Sequence, residues 1–591
     1  MENRRRKRAF GGLVAGRYPF SIVNCLFNTA EINVMEESRA GSAQTHRQAK
    51  WGFALMIGVL ILVAVGKAVL ADTLDPDMFW HLRVAEQLQA PGMPGPVVDH
   101  LAFASVKEPW TPYSWLAELG MKCLWDWAGY RGVVAVQATL EGGFVFFVAL
   151  AGVEISVLSS DGPERRPRYL PVVFATVIAV FFSLAYLSFR PVTIALFFLA
   201  AAAWIIQRDR RLLNRSRAIW LLVPLTVLLT NIHLYAVFLP AAIFGVAVGM
   251  WWELRGALAN EPTRGSDRSR RGSNEPPPRS TKSAPESRET ILESRRRLNR
   301  HLPLLLGTTL GCLATPMLPG VISSAIHYQF GDAMVASPII AEMRPFYSGG
   351  LGLISVAMVL FILGCAIRHR KNLQACDWTW LIGAILVLLR MGRFGPIFAI
   401  FAVPTLAATC PRLSDGVLAR PAVRFAMATL LILGFVRVGR GFPTSQTSLS
   451  NWLNRNGPDC PGYPTSAADF VAANIPARSH RLVNEFTWGG YLEWRLSPGY
   501  QVLMDGRTQV FPGDFWKAVY LGAPVDRKKY LATLDADAAV LPIRGSAFHQ
   551  DLIDLGWKQV YADDRAEVLQ PPTGDRANSG KAVASDATPG E

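Results

Sequence analysis

Just past the first long apolar run of the chain stands "LDPDMFWHL", Leu74–Leu82, with two carboxylates, a tryptophan and a histidine in one short stretch. A carboxylate can take a proton from a hydroxyl, and a pair can hold Mg²⁺ or Mn²⁺ with waters completing the shell. Other ionisable or polar residues recur where apolar segments break: Arg190 in "SFRP", Asn231 and His233 in "TNIH", Arg390 and Arg393 in "RMGRFGP". Glu342 stands in the polar stretch "AEMRPF". A guanidinium is a planar fork suited to phosphate oxygens. Acids and cations gathered near a membrane surface are candidates for a functional site.

The segments that must position these residues are oily. Of 591 residues, 51% are hydrophobic and only 18% charged, and the charges fall in blocks between apolar runs. The first run, Trp51–Ala71, matches the length needed to cross a hydrocarbon core of about 30 Å. Similar runs recur to Arg437. The net charge of +15 lies mostly in short loops such as "RRRKR", "ERRPR", "RDRRLLNRSR" and "RHRK". Basic loops mark the cytoplasmic side of a membrane protein, so the charge reads as topology and not as nucleic-acid binding.

Placing those loops inside sends Asp75 and Asp77 outside. The acid-rich stretch 72–131 becomes the first outer loop. Between basic loops, 169–206, 218–252 and 377–411 must each cross twice, with "SFRP", "TNIH" and "RMGRFGP" at outward tips. The count is about eleven spans. The expected fold is a polytopic α-helical membrane protein with a small extracytoplasmic α/β domain at its carboxyl end. Residues 1–50 form a basic cytoplasmic segment, within which 1–34 read as an over-long start, and 51–440 form the transmembrane domain. Residues 255–300 form a Pro-, Ser- and Arg-rich disordered loop, 445–570 the outer domain, and 571–591 a disordered tail. In that domain "AADFVAANIP" and "HQDLIDLGW" read as helices, and "RLVNEF", "YQVLMDGR" and "AAVLPI" as buried strands. The seven cysteines show no metal-ligand spacing, and at most Cys123 and Cys460 are placed to form a disulfide.

The stretch "DPDMFWHLRVAEQLQAPGMPGPVVDHLAFASVKEPWTPYSWLAEL" resembles the first outer loop of bacterial GT-C membrane glycosyltransferases, relatives of protein mannosyltransferases and aminoarabinose transferases. Phe79 stands where that family's pattern has a first tryptophan. "GGYLEWRL…VLMDGR", Gly489–Arg507, resembles the soluble tail of some members. The resemblance implies transfer of a sugar, with inversion, from a polyprenyl-phosphate donor to a glycan, lipid or protein acceptor outside a bacterial inner membrane. It implies Asp77, or else Asp75, as the base that takes the acceptor proton. Arg393, Arg390 and Arg190, with His233, are the expected phosphate ligands. His81, Trp80, Asp99 and Glu342 make up the expected substrate-binding set. A divalent cation at "DPD" is a further option beside a plain helix start. In the tail, Asp505 and Arg507 read as a turn with a structural ion pair, and "WGGYLEW" offers aromatic faces and glycines to a glycan. A lipid-linked-glycan flippase and a non-catalytic scaffold are the competing functions. The gathering of polar residues at one face, with no internal repeat, favours the transferase.

Overall fold

A computed structural model of the chain describes residues 21–70, 74–90, 95–160, 166–259, 284–331, 334, 340–410, 413–455 and 462–572, with side chains from residue 44 onward except a few positions. The expectations for the first twenty residues, most of the 255–300 loop, Cys460 and the tail after 572 lie outside these residues.

The chain is a polytopic helical membrane protein. Seven helices among the described residues are long and apolar enough to cross a membrane, and Arg217–Thr230 and Gly352–Arg368 are shorter apolar helices. Helix α1, Ser21–Leu70, runs 50 residues and includes the polar lead before Trp51. That lead is rich in Glu, Arg, Ala and Gln, all good helix formers. Helix α2, Pro76–Gln89, and helix α3, Trp115–Leu158, follow. α3 starts inside the expected outer loop and is broken at Gly129, whose φ of 59° only glycine adopts freely. Its apolar run begins after that break, at Val133.

The expected tips are breaks in the helices. α4 (Tyr169–Ser183) and α5 (Pro191–Arg211) part around Arg190. α6 (Leu222–Thr230) and α7 (Phe238–Ala259) part around His233. α8 (Ala284–Gly311), α9 (Leu318–Ile326) and α10 (Gly352–Arg368) come next. α11 (Ala375–Arg390) and α12 (Gly395–Phe401) part at Met391, which is extended at φ −157°, ψ 147°. At the other end of the same helices Arg210, closing α5, pairs with Asp377, opening α11, at 2.7 Å. Arg190, His233 and Arg393 therefore share one end of the bundle.

The carboxyl-terminal domain carries a five-stranded sheet in the order β2-β1-β3-β5-β4. Strands β1 (Arg481–Asn484), β2 (Gln501–Val502) and β3 (Ala538–Pro542) are parallel, and β5 (Ala566–Gln570) runs antiparallel to β3 and to β4 (Lys558–Ala562). The last two strands carry little sequence signal. The loop after α2 docks on this sheet: Phe103 N–H donates to Val502 O at 2.9 Å and Val502 N–H to Leu101 O at 3.0 Å. The loop's Asp99 is fully buried against Arg507, Nη1 to Oδ1 2.7 Å, and Arg507 also pairs with Glu493 at 3.2 Å and with Asp505. One hydrophobic core accordingly runs from α2 and α3 into the domain.

Candidate active site

Asp75 caps α2. Its Oδ1 accepts the Asp77 N–H at 2.9 Å, and Pro76 takes the first helical position, where its missing N–H does no harm. The helix-start reading of "DPD" is thus correct, and it aims Asp77 from the first turn into a cavity of about 280 Å³. Asp75, Asp77, Trp80, His81, Tyr113, Arg190, His233, Glu342 and Arg393 all line that cavity. Six separate stretches of chain supply them.

Arg190 sits among the carboxylates. Its Nε lies 3.2 Å from Asp75 Oδ2, Nη1 3.1 Å from Asp77 Oδ2, and Nη2 3.0 Å from Glu342 Oε2. Its Nε also donates to Ser188 Oγ at 2.9 Å. The turn that carries it is held from below by Lys67 of α1, which donates to Leu187 O and pairs with buried Glu141 at 3.1 Å. The other oxygen of Asp77 accepts the Trp80 indole N–H at 3.1 Å. Arg393 reaches Glu342 only at 3.7 Å, so it is the less committed guanidinium. Its segment is seated by Gly392 N–H donating to Arg344 O at 2.8 Å, beside Glu342.

Burial, reinforced by the neighbouring Asp75 and Glu342 charges and opposed by Arg190, raises the Asp77 carboxyl to about 6. Glu342 goes the other way: burial is outweighed by Arg190 and Arg393, which hold it at about 2. Burial, with Arg393 and Arg190 nearby, pushes His233 down to about 3, so it is a neutral imidazole. The result is one carboxylate with enhanced basicity beside one that stays ionised.

Asp75, Asp77 and Glu342 are each turned to a nitrogen of Arg190, which stands between them where a divalent cation would otherwise be held.

Two expected site residues stand elsewhere. Arg390 ends α11 with its side chain exposed and does not line the cavity, because the chain turns at Met391 before entering it. Asp99 is buried with Arg507 and accepts from Ser105, as part of the interdomain network. Asn231 also serves the scaffold, accepting the Trp115 indole N–H at 2.8 Å and donating to Ala314 O at 3.0 Å.

The carboxyl-terminal domain roofs the cavity with Phe486, Thr487, Gly490, Gly506, Thr508 and Gln509, of which only Gly490, within "WGGYLEW", carries a signal in the sequence as a ligand contact. The glycines of the tail motif do not await a glycan. A Cβ on Gly490 would lie 2.7 Å from Pro76 O, and one on Gly506 2.1 Å from Asp77 Oδ1. The aromatics are likewise occupied, since Phe79 packs within 5.3 Å of Tyr463, Tyr491 and Trp494. Phenylalanine at that position is a core residue.

A second cavity of about 480 Å³ adjoins the first and shares Tyr113, His233, Tyr328, Met343 and Arg393 with it. The rest of its wall is mostly apolar, including Leu234, Val237, Phe238, Leu313, Val321 and Ile326.

No protein-family model and no curated protein matches the chain. Among solved structures it is similar to the archaeal oligosaccharyltransferase AglB from Archaeoglobus fulgidus in complex with an inhibitory peptide and a dolichol-phosphate. The TM-score is 0.46 at 13% identity, covering 83% of this chain and 69% of the other. A structure of the Archaeoglobus fulgidus oligosaccharyltransferase with Zn and sulfate matches at TM-score 0.41 and 13% identity, covering 82% and 68%. ArnT from Cupriavidus metallidurans bound to undecaprenyl phosphate matches at TM-score 0.40 and 13% identity, covering 88% of this chain and 98% of the other.

Proposed function

We propose that the chain is an integral-membrane glycosyltransferase of the GT-C kind, with about eleven crossings, that moves a sugar from a polyprenyl phosphate to an acceptor hydroxyl on the non-cytoplasmic side, with inversion. The observation that carries the reading is the junction of the two cavities at Arg393. A polyprenyl chain needs an apolar groove, its phosphate a cation, and the reacting sugar a polar chamber with a carboxylate. The adjoining cavities supply these in that order.

In this reading the lipid lies in the apolar groove along α9 and α7, and Arg393 binds the phosphate at its mouth. The sugar occupies the polar chamber. Asp77 accepts the proton of the acceptor hydroxyl as that oxygen bonds to the anomeric carbon and the phosphate leaves from the opposite face. An ordinary aspartate is a weak base for an alcohol, and burial brings Asp77 nearer to working pH. Arg190 positions Asp77 and, with Glu342, keeps the chamber's charges in register. His81 and Trp80 line the sugar's side of the chamber.

The test is a strain lacking the gene, compared with its parent for extracted polyprenyl-linked sugars and envelope glycans. Accumulation of one polyprenyl-phosphate sugar and loss of one glycan modification is the expected result. Unchanged pools of both overturn the reading.

A further inference from the structure

On α2, Asp77 and His81 are four residues apart and so share a helix face, and both line the polar cavity. His81 is 5% exposed and its Nδ1 lies 3.0 Å from Glu118 Oε1, in the first turn of α3. Glu118 is 2% exposed, and its second oxygen, Oε2, is buried with no hydrogen-bond partner among the described residues. Among the same residues its ion-pair partner is this imidazole. An ionised carboxylate so placed would be a buried charge with one oxygen unsatisfied, whereas a carboxylic acid donating to Nδ1 leaves only a neutral carbonyl oxygen there. The imidazole is held neutral as well, by burial and by Arg190, His233 and Arg507 facing it from three other elements. With Nδ1 accepting from Glu118, the ring hydrogen is on Nε2, the nitrogen left to face the chamber.

We infer that His81 and Glu118 form a proton-donating relay to the leaving phosphate, the acid counterpart of Asp77. The inference rests on the transferase reading. As the bond between the anomeric carbon and the phosphate oxygen breaks, its electron pair goes to that oxygen. Nε2–H of His81 delivers a proton to the phosphate while the Glu118 O–H delivers one to Nδ1. The acceptor's proton goes to Asp77 as the new glycosidic bond forms. The lipid phosphate leaves as a monoanion, Asp77 has gained one proton and Glu118 has lost one. A proton returned through water in the chamber resets both, so the acceptor's hydroxyl proton ends on the phosphate. The two carboxyl groups thus start in opposite protonation states, which is how an acid and a base coexist in one site.

The experiment uses the full-length protein in lipid nanodiscs, as wild type, Glu118→Gln and His81→Gln. Glutamine at 118 keeps a donor to Nδ1 but has no proton to give. A panel of polyprenyl-phosphate monosaccharides serves as donor and water or simple glycosides as acceptors, with kcat and KM followed against pH. The relay is expected to lower kcat by about 10²- to 10⁴-fold in both variants, with KM little changed and the alkaline fall of the wild-type profile gone. Infrared difference spectra at neutral pH supply a readout independent of turnover: a buried carboxylic C=O band present in the wild type and absent in Glu118→Gln. If the wild type turns over a donor while Glu118→Gln matches it at every pH, or if no such band is lost, the relay is wrong and the transferase reading stands. If the wild type turns over no donor, the transferase reading fails and the relay's role with it, whatever the spectra show.

Discussion

Replacing Gly506 by alanine tests how closely the carboxyl-terminal domain is fitted to Asp77. The new Cβ would stand 2.1 Å from Asp77 Oδ1 and 2.9 Å from Trp80 Nε1. Ordinary contact begins at 3.4 Å, so the carboxylate or the domain must retreat by about 1.3 Å (3.4 minus 2.1). Asp77 has little room to do so, because Arg190 holds Oδ2 at 3.1 Å and Trp80 holds Oδ1 at 3.1 Å. A misplacement of that size at a reacting group costs about 10²-fold in rate. Overpacking of a fitted contact costs about 1–3 kcal/mol of stability. Gly513→Ala, on the same domain with open space around it, is the control. Donor consumption by purified protein gives the rate and thermal unfolding gives the stability. A Gly506→Ala protein with the parent's rate and midpoint would mean that the domain does not press on Asp77, and the site's geometry would have to be redrawn.

Other outcomes follow from the same contacts. Because Asp77 is raised to about 6, it gains a proton as pH falls through that value, so activity should drop on the acid side with a midpoint near 6. Asp75→Asn removes a charge that raises it and should move the midpoint down, read from a pH–rate profile. Arg507→Ala leaves Asp99, Glu493 and Asp505 buried without their cation and should cost about 3–5 kcal/mol, seen as a lower unfolding midpoint and protease release of the carboxyl-terminal domain. Ala325→Trp, in the apolar cavity's wall, should raise KM for long-chain donors more than for short-chain analogues.

Much of this site is legible in the sequence because it depends on local signals. "DPD" announces a helix start, and Arg190, His233 and Arg393 stand at breaks that two basic flanking loops force on an apolar run. Glu342 is legible only coarsely, as an acid in a polar stretch, since its loop has no periodicity to fix where it stands. What could not be read is pairing at long range. Arg507 and Asp99 are 408 residues apart, and although the ion pair of Arg507 with nearby Asp505 is legible, nothing local marks Asp99 as its further partner. Arg390 and Arg393 differ by three positions, but the extended Met391 between them sends only the second into the cavity. Glu118 was visible as part of "SWLAE", yet its meeting with His81 depends on how α2 packs against α3. In the tail, the motif glycines signal close approach correctly while leaving open what approaches, and the answer is Pro76 and Asp77. Strands β4 and β5 escape notice because β4 is largely exposed and alternates poorly.

The most direct test of the account is single-turnover transfer by the purified protein and its Asp77→Asn and Arg393→Ala variants, with synthetic polyprenyl-phosphate sugars as donors. The account expects one donor to be consumed with release of polyprenyl phosphate and an inverted anomeric product. Asp77→Asn should slow the chemical step by about 10²- to 10⁴-fold, and Arg393→Ala should chiefly weaken donor binding. Transfer that proceeds at the parent rate in both variants would contradict it.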